Sequence, residues 1–126
     1  MEGRLGDTAL MTFAALREIA RKYEAELAVA KDDGENYVLV SNVPSPFPQH
    51  KGKPLDFLYV RIGKAYVSFH VLAISGAKSQ ISPELKKRMQ GKTCFNFVRP
   101  PEPALCEELE RLVGDGLRSW HTMKWL

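Results

Sequence analysis

The order of patterns along this chain predicts an α+β fold, an antiparallel sheet of about five strands with helices packed on one face. Two stretches read in succession as β-hairpins, which makes the sheet antiparallel. Apolar residues recur every three or four positions near both ends, as they do in helices with one buried stripe. A serine–proline pair opens a further helix late in the chain. The order is helix, four strands, helix, strand, helix.

Met1 to Gly6 reads as a loose end. Asp7 or Thr8 caps a first helix to about Glu24, with Leu10, Phe13, Leu16, Ala20 and Tyr23 as its stripe. Leu27 to Lys31 and Tyr37 to Val40 form a hairpin around Asp32-Asp33-Gly34, where Asp tolerates and Gly favours a positive φ. Continuation of the first helix through Ala30 is the alternative. Ser41 to Pro54 is a loop, because Pro44, Pro46, Pro48 and Pro54 cannot donate to a sheet ladder. Leu55 to Ile62 and Ala65 to Ile74 form a second hairpin, with Gly63 suited to a type II′ turn. On its second strand Val67, Phe69, Val71 and Ala73 make the core face, while Tyr66, Ser68, His70 and Leu72 share the other.

After a polar loop from Ser75 to Gln80, Ser82 is an N-cap and Pro83 fits the first helical position. Glu84 complements the helix dipole, Lys86, Lys87 and Arg88 suit the last turns, and Gly91 suits the C-terminal cap. Thr93 to Val98 is a strand, with Phe95 and Phe97 on one side and Cys94, Asn96 and Val98 on the other. The last helix starts near Ala104 on a stripe of Leu105, Leu109, Leu112 and Val113. Gly114 and Gly116 weaken it, leaving a short terminal piece from Leu117 with Trp120, His121 and Trp125.

With 126 residues, 44% hydrophobic and 26% charged, the chain fits one globular domain. No apolar run spans a bilayer, and Met1-Glu2-Gly3-Arg4 lacks a signal-peptide layout. A soluble cytoplasmic protein with no membrane contact is the expectation. Cys94 and Cys106 are too sparse for a disulfide framework. The net charge of +3 is modest. A nucleic-acid binder usually carries a denser basic stripe, so nucleic acid is not the expected partner.

The segments Lys64-Ala65-Tyr66-Val67-Ser68-Phe69-His70 and Ile81-Ser82-Pro83-Glu84-Leu85-Lys86-Lys87-Arg88-Met89-Gln90-Gly91-Lys92-Thr93-Cys94-Phe95-Asn96-Phe97 resemble a family of small bacterial proteins, the YdhG-like domains of unknown function. The resemblance implies a frataxin-like α+β fold and raises an iron-handling role. The strand after His70 departs from the family pattern, reading Val71-Leu72-Ala73-Ile74. No catalytic residue carries over.

Among soft metal ligands, His50, His70, His121, Cys94 and Cys106 form no close pair, so neither a metal site nor another cofactor is expected unless strands bring His70 beside Cys94. Iron at a surface needs clustered carboxylates, yet the first helix mixes Glu18, Glu24 and Glu26 with Arg17, Arg21 and Lys22. A thiol-dependent enzyme would use Cys94, with His70 and Lys92 lowering its pKa; the alternative is a buried structural cysteine. Lys86, Lys87, Arg88, Lys92 and Arg99 with Phe95 and Phe97 are the only basis for nucleic-acid stacking, but helix-end cations and core alternation already account for them.

The remaining surface joins Tyr66, Ser68 and His70 with Lys92, Cys94 and Asn96. If those strand faces meet under the proline loop they line a small polar pocket; otherwise they form a satisfied network with His70 on a backbone carbonyl. Trp120 and Trp125 serve either a homodimer interface or the core. The reading is a binding or accessory protein for an unknown small molecule or protein, leaning away from an enzyme. Frataxin-like iron handling and thiol chemistry at Cys94 are the alternatives.

Overall fold

The computed structural model describes residues 6–43, 48–72, 81–90 and 93–124. Helix α1 (Gly6–Arg21) is followed by a 3-10 turn (Glu24–Glu26) and strands β1 (Ala28–Asp32) and β2 (Asn36–Val40). A second 3-10 turn (Pro48–His50) precedes β3 (Asp56–Ile62) and β4 (Val67–Val71). Then come a one-turn helix α2 (Pro83–Lys86), a two-residue strand β5 (Met89–Gln90), β6 (Cys94–Phe97) and helix α3 (Pro103–Thr122). The expected α+β architecture is present. The sheet has six strands rather than five, all antiparallel, in the order β1-β2-β3-β4-β6-β5. Several expectations lie outside the described residues: the loose end Met1 to Leu5, Pro44 to Phe47, the strand end and loop from Ala73 to Gln80, the Gly91 cap, Lys92 and Trp125.

Helix α1 buries Ala9, Thr12, Phe13, Leu16, Ile19 and Ala20. Leu10 does not belong to that stripe; it is 55% exposed. At 3.6 residues per turn the line through Phe13 and Leu16 runs back to Ala9, which leaves Leu10 turned toward water. Leu27 to Ala30 does not continue the helix. Instead β1 pairs with β2 around a turn in which the Asp33 carboxylate accepts from the backbone N–H groups of Glu35 (3.0 Å) and Asn36 (2.9 Å), and Gly34 has a φ of 89°. Strand β1 is exposed along its whole length. Lys31, Asp32 and a register shift between Val29 and Lys31 blunt this edge.

The second hairpin forms without the type II′ turn. Ile62 pairs with Val67, and Lys64 and Ala65 hold the centre of a four-residue turn closed by the Gly63 N–H on the Tyr66 carbonyl at 2.9 Å. Gly63 has no positive φ; a Cβ there would come within 3.1 Å of that carbonyl oxygen, so the close approach selects glycine. Along β4 buried Val67, Phe69 and Val71 alternate with partly exposed Ser68 and His70, as the period of two requires. On β3 the register shifts between Leu39 and Val40 of its partner, and both Phe57 and Leu58 are buried.

The Ser82 cap is real: its side chain accepts from the Leu85 N–H at 3.2 Å. The helix behind it is a single turn, Pro83–Lys86, rather than the roughly two turns that a Gly91 cap would close. After Lys86 the chain extends, and Met89 and Gln90 pair with Phe95 and Cys94. This pairing covers the edge of β6 with ladder bonds that helix would forgo, including Asn96 N–H to Arg88 carbonyl at 2.7 Å. In contrast, α3 runs unbroken to Thr122 despite Gly114 and Gly116. Its long apolar stripe of Leu105, Leu109, Leu112, Val113, Leu117 and Trp120 outweighs the propensity cost. Trp120 closes the core, edge-on to Phe57 with ring centroids 5.1 Å apart.

Helix α1 crosses β3 and β4, with α3 beside it. Between these helices and the sheet lie Tyr37, Leu39, Phe57, Leu58, Val60, Phe69, Phe95 and Phe97, each 2% exposed or less. Phe95 and Phe97 are therefore core residues, not a stacking platform.

Truncation of Leu109 to Ala should cost about 2–5 kcal/mol of unfolding free energy in urea titration, since the cavity cannot fully collapse. Gly114→Ala should act the other way. A Cβ there meets only Arg118 Nη1 at 3.7 Å and Tyr23 Oη at 3.8 Å, ordinary contacts. The same titration should show a gain of about 0.5–1 kcal/mol.

Candidate functional site

Because α1 and α3 occupy one face of the sheet, every second strand residue points to the other. The registers align these residues into two rows across the strands. Asn36, Arg61, Ser68 and Asn96 make one. Val38, Tyr59, His70, Cys94 and Gln90 make the other. Four expected residues, Ser68, His70, Cys94 and Asn96, thus lie in these rows. Tyr66, just before β4, joins through its hydroxyl, which donates to Gln90 Oε1 at 3.2 Å. Lys92 lies outside the described residues.

Hydrogen bonds join the rows into three groups, around Asn96, Arg61 and His70. Asn96 Oδ1 accepts from Ser68 Oγ at 3.0 Å and from the Cys94 thiol at 3.6 Å, and Asn96 Nδ2 donates to Gln90 Oε1 at 2.7 Å. Arg61 Nε donates to Asn36 Oδ1 at 3.1 Å, and its guanidinium sits 4.9 Å from the centroid of the Tyr59 ring. His70 is not held by a backbone carbonyl. Its Nδ1 is 2.7 Å from the Tyr59 hydroxyl, its Nε2 is 2.6 Å from the Thr93 hydroxyl, and its ring leans on Tyr59 with centroids 4.7 Å apart. A neutral imidazole donates through one nitrogen and accepts through the other. Whichever tautomer is present, one of the two hydroxyls therefore keeps its O–H free to donate elsewhere.

Burial holds the His70 pKa below its ordinary value, with the Arg61 cation acting in the same direction and Asp56 against it. Burial also pushes the Cys94 thiol up, partly offset by the Ser68 hydroxyl. His70 and Cys94 are directly paired across β4 and β6, but the ring nitrogens go to Tyr59 and Thr93 rather than to sulfur. Among the described residues, nothing places a base or cation on the Cys94 sulfur, which a working thiolate requires. The other soft ligands are dispersed. His121 pairs with Glu26 at 2.7 Å, and Cys106 donates to the Pro101 carbonyl at 3.5 Å. Among the described residues, no three His, Cys, Asp or Glu side chains gather as a metal site would require.

Two cavities lined by described residues lie away from this face. One, of about 470 Å³, sits between α2 and α3 and is lined by Ile81, Ser82, Pro83, Ala104, Glu107, Glu108 and Arg111. There the buried Glu108 carboxylate accepts from the Ser82 N–H and hydroxyl, both at 2.6 Å, and so fixes α2 to α3. The other, of about 10 Å³ beside Arg88 and Phe97, has room for a single water.

Tyr59, Arg61, Gln90 and Thr93 were not among the residues singled out from sequence. The signal for two of them was present: Tyr59 and Arg61 alternate with Leu58 and Val60, so a strand-face reading of β3 would have placed them outward. No family model, curated protein or solved structure matches the chain. No helix among the described residues is long and apolar enough to cross a membrane.

Two titrations follow from the site. The unfolded His70 ring takes up a proton near its ordinary value of about 6.5, before the folded ring does. Its contribution to stability is therefore whole above that pH and declines as pH falls through it. Replacement of His70 by Gln should flatten the loss of urea midpoint between neutral and mildly acidic pH relative to the parent. Separately, Cys94 should react with iodoacetamide at pH 7 more slowly than free cysteine; a faster reaction would reinstate the thiolate chemistry.

Proposed function

We propose that this chain is a binding module whose recognition surface is the outward face of β3, β4 and β6. The observation that carries this reading is the two-row array of Asn36, Arg61, Ser68, Asn96, Tyr59, His70 and Cys94, an aromatic and hydrogen-bonding strip on a sheet whose other face is fully engaged with the core. Aromatic rings, amides and a guanidinium are the groups that fix ligand orientation in protein sites. The array offers outward hydrogen-bonding capacity at the Gln90 amide and at one of the hydroxyls flanking His70. Among the described residues both His70 nitrogens are engaged by hydroxyls rather than by the Cys94 sulfur, which supports binding over turnover. We hold the YdhG-like kinship as part of the same proposal, resting on the segments from Lys64 to His70 and Ile81 to Phe97.

A fragment screen by ¹H–¹⁵N NMR tests this. Hits should move the amides of Tyr59, Ser68, His70 and Asn96 and should lose affinity in the Tyr59→Ala variant. Hits confined to the α1 and α3 side, with the strand amides unmoved, would refute it.

A further inference from the structure

The charges are divided unevenly between the two sides of the fold. On the helical side five cations are paired with carboxylates. Arg17 pairs with Asp32, Arg21 with Glu18, Lys22 with Glu110, Arg111 with Glu108 and Arg118 with Asp115. On the sheet, Arg61 bonds, among the described residues, only neutral Asn36 and lies over Tyr59. The registers place Lys64, Arg88 and Arg99 at the same end of the sheet as Arg61. Lys64 is in the β3–β4 turn, Arg88 is bonded through its carbonyl to Asn96, and Arg99 follows the Phe97 that pairs with Val67; Arg88 and Arg99 line the small cavity beside Phe97 rather than the outward face, and Arg88 Nε is buried. None of these four cations has an ion pair among the described residues, nor do Lys51, Lys53, Lys86 and Lys124, whereas seven other lysine and arginine side chains do. The carboxylates at this end are Asp33, which pairs with Lys31, and Glu35 and Glu102, so the balance is positive.

Resting on the binding face proposed above, we propose that its ligand is single-stranded nucleic acid, with bases stacked on Tyr59, His70 and Tyr66 and phosphates drawn to Arg61 and Lys64. Base stacking on an open sheet needs aromatic rings on neighbouring strands, and Tyr59 and His70 are direct cross-strand partners. The two rows contain no carboxylate, which suits a polyanion, and the nearest one acting on Tyr59 and His70 is Asp56 at the far end of β3. From β2 to β5 the face is about 19 Å across at the usual strand spacing of about 4.8 Å, room for several nucleotides. A small ligand favours a concave site, whereas a polymer accumulates weak contacts along an open one. Gln90, Asn96 and the hydroxyls beside His70 face the edges of bases so placed. Sequence pointed away from nucleic acid because its basic residues are spread along the chain, and because the aromatics nearest to them, Phe95 and Phe97, are core.

Fluorescence anisotropy with labelled oligo-uridine and oligo-deoxythymidine of about ten nucleotides tests this on the full chain. Saturable binding that weakens between about 50 and 200 mM salt is expected. Tyr59→Ala should weaken it by roughly 5- to 100-fold, while Tyr59→Phe, which keeps the ring, should not. Arg61→Ala, at an exposed position, should lower the salt slope by about one, and it answers the question even if Tyr59→Ala fails to fold. No saturable binding, equal binding of a duplex of the same length, or indifference to Arg61→Ala and Tyr59→Ala overturns the proposal. If small fragments shift the strand amides while oligonucleotides do not bind, the nucleic-acid class falls and the binding face stands. If all shifts map to the helical side, both fall.

Discussion

Burial of one side of the sheet beneath α1 and α3 is the constraint on which the rest of this structure depends. A strand cannot bury Val67, Phe69 and Val71 without presenting Ser68 and His70 on the opposite side. The same holds for Phe95 and Phe97 against Cys94 and Asn96. Once the registers are set by packing, the outward residues of four strands fall into rows without further instruction. The candidate site is thus the reverse side of the core. A one-residue slip of β4 would exchange the two sets and lose both.

The helical layer is fastened by polar contacts at its margin. Buried Tyr37 gives its hydroxyl to Glu24, and Arg17 lies 5.2 Å from the Tyr37 ring centroid while bonding Asp32 through two nitrogens. Tyr23 donates to the Glu110 carbonyl at 2.8 Å. Exposed pairs of this kind add little each, about 0–1 kcal/mol. Their larger consequence is that five cations of the helical side are paired locally, whereas Arg61 and Lys64 on the sheet have no ion-pair partner among the described residues.

The outward network resembles a core in its polar satisfaction and a surface in its exposure. Asn96 bonds three neighbours, and both ring nitrogens of His70 are engaged. Such a network holds its side chains in fixed rotamers, so less order has to be acquired when something binds. The Cys94 thiol takes part as a weak donor, and its raised pKa follows from the same burial.

Some of this was legible in the amino-acid order alone. The hairpin at Asp33-Gly34, the Ser82 cap, and the split of Val67 to Val71 into two faces all follow from local rules: a positive φ, an orphan N–H, a period of two. Where the reading failed, a long-range contact overrode a local preference. Capping signals marked a longer helix after Ser82, but the free edge of β6 drew Met89 and Gln90 into a strand. Gly114 and Gly116 argued for a break, but the apolar stripe continuing to Trp120 kept α3 whole. Sequence by itself determined which residues alternate and where turns fall, because those depend on neighbours in the chain. Only the tertiary structure decided that Tyr59, His70 and Thr93 meet, because strand register is fixed by packing between residues distant in sequence.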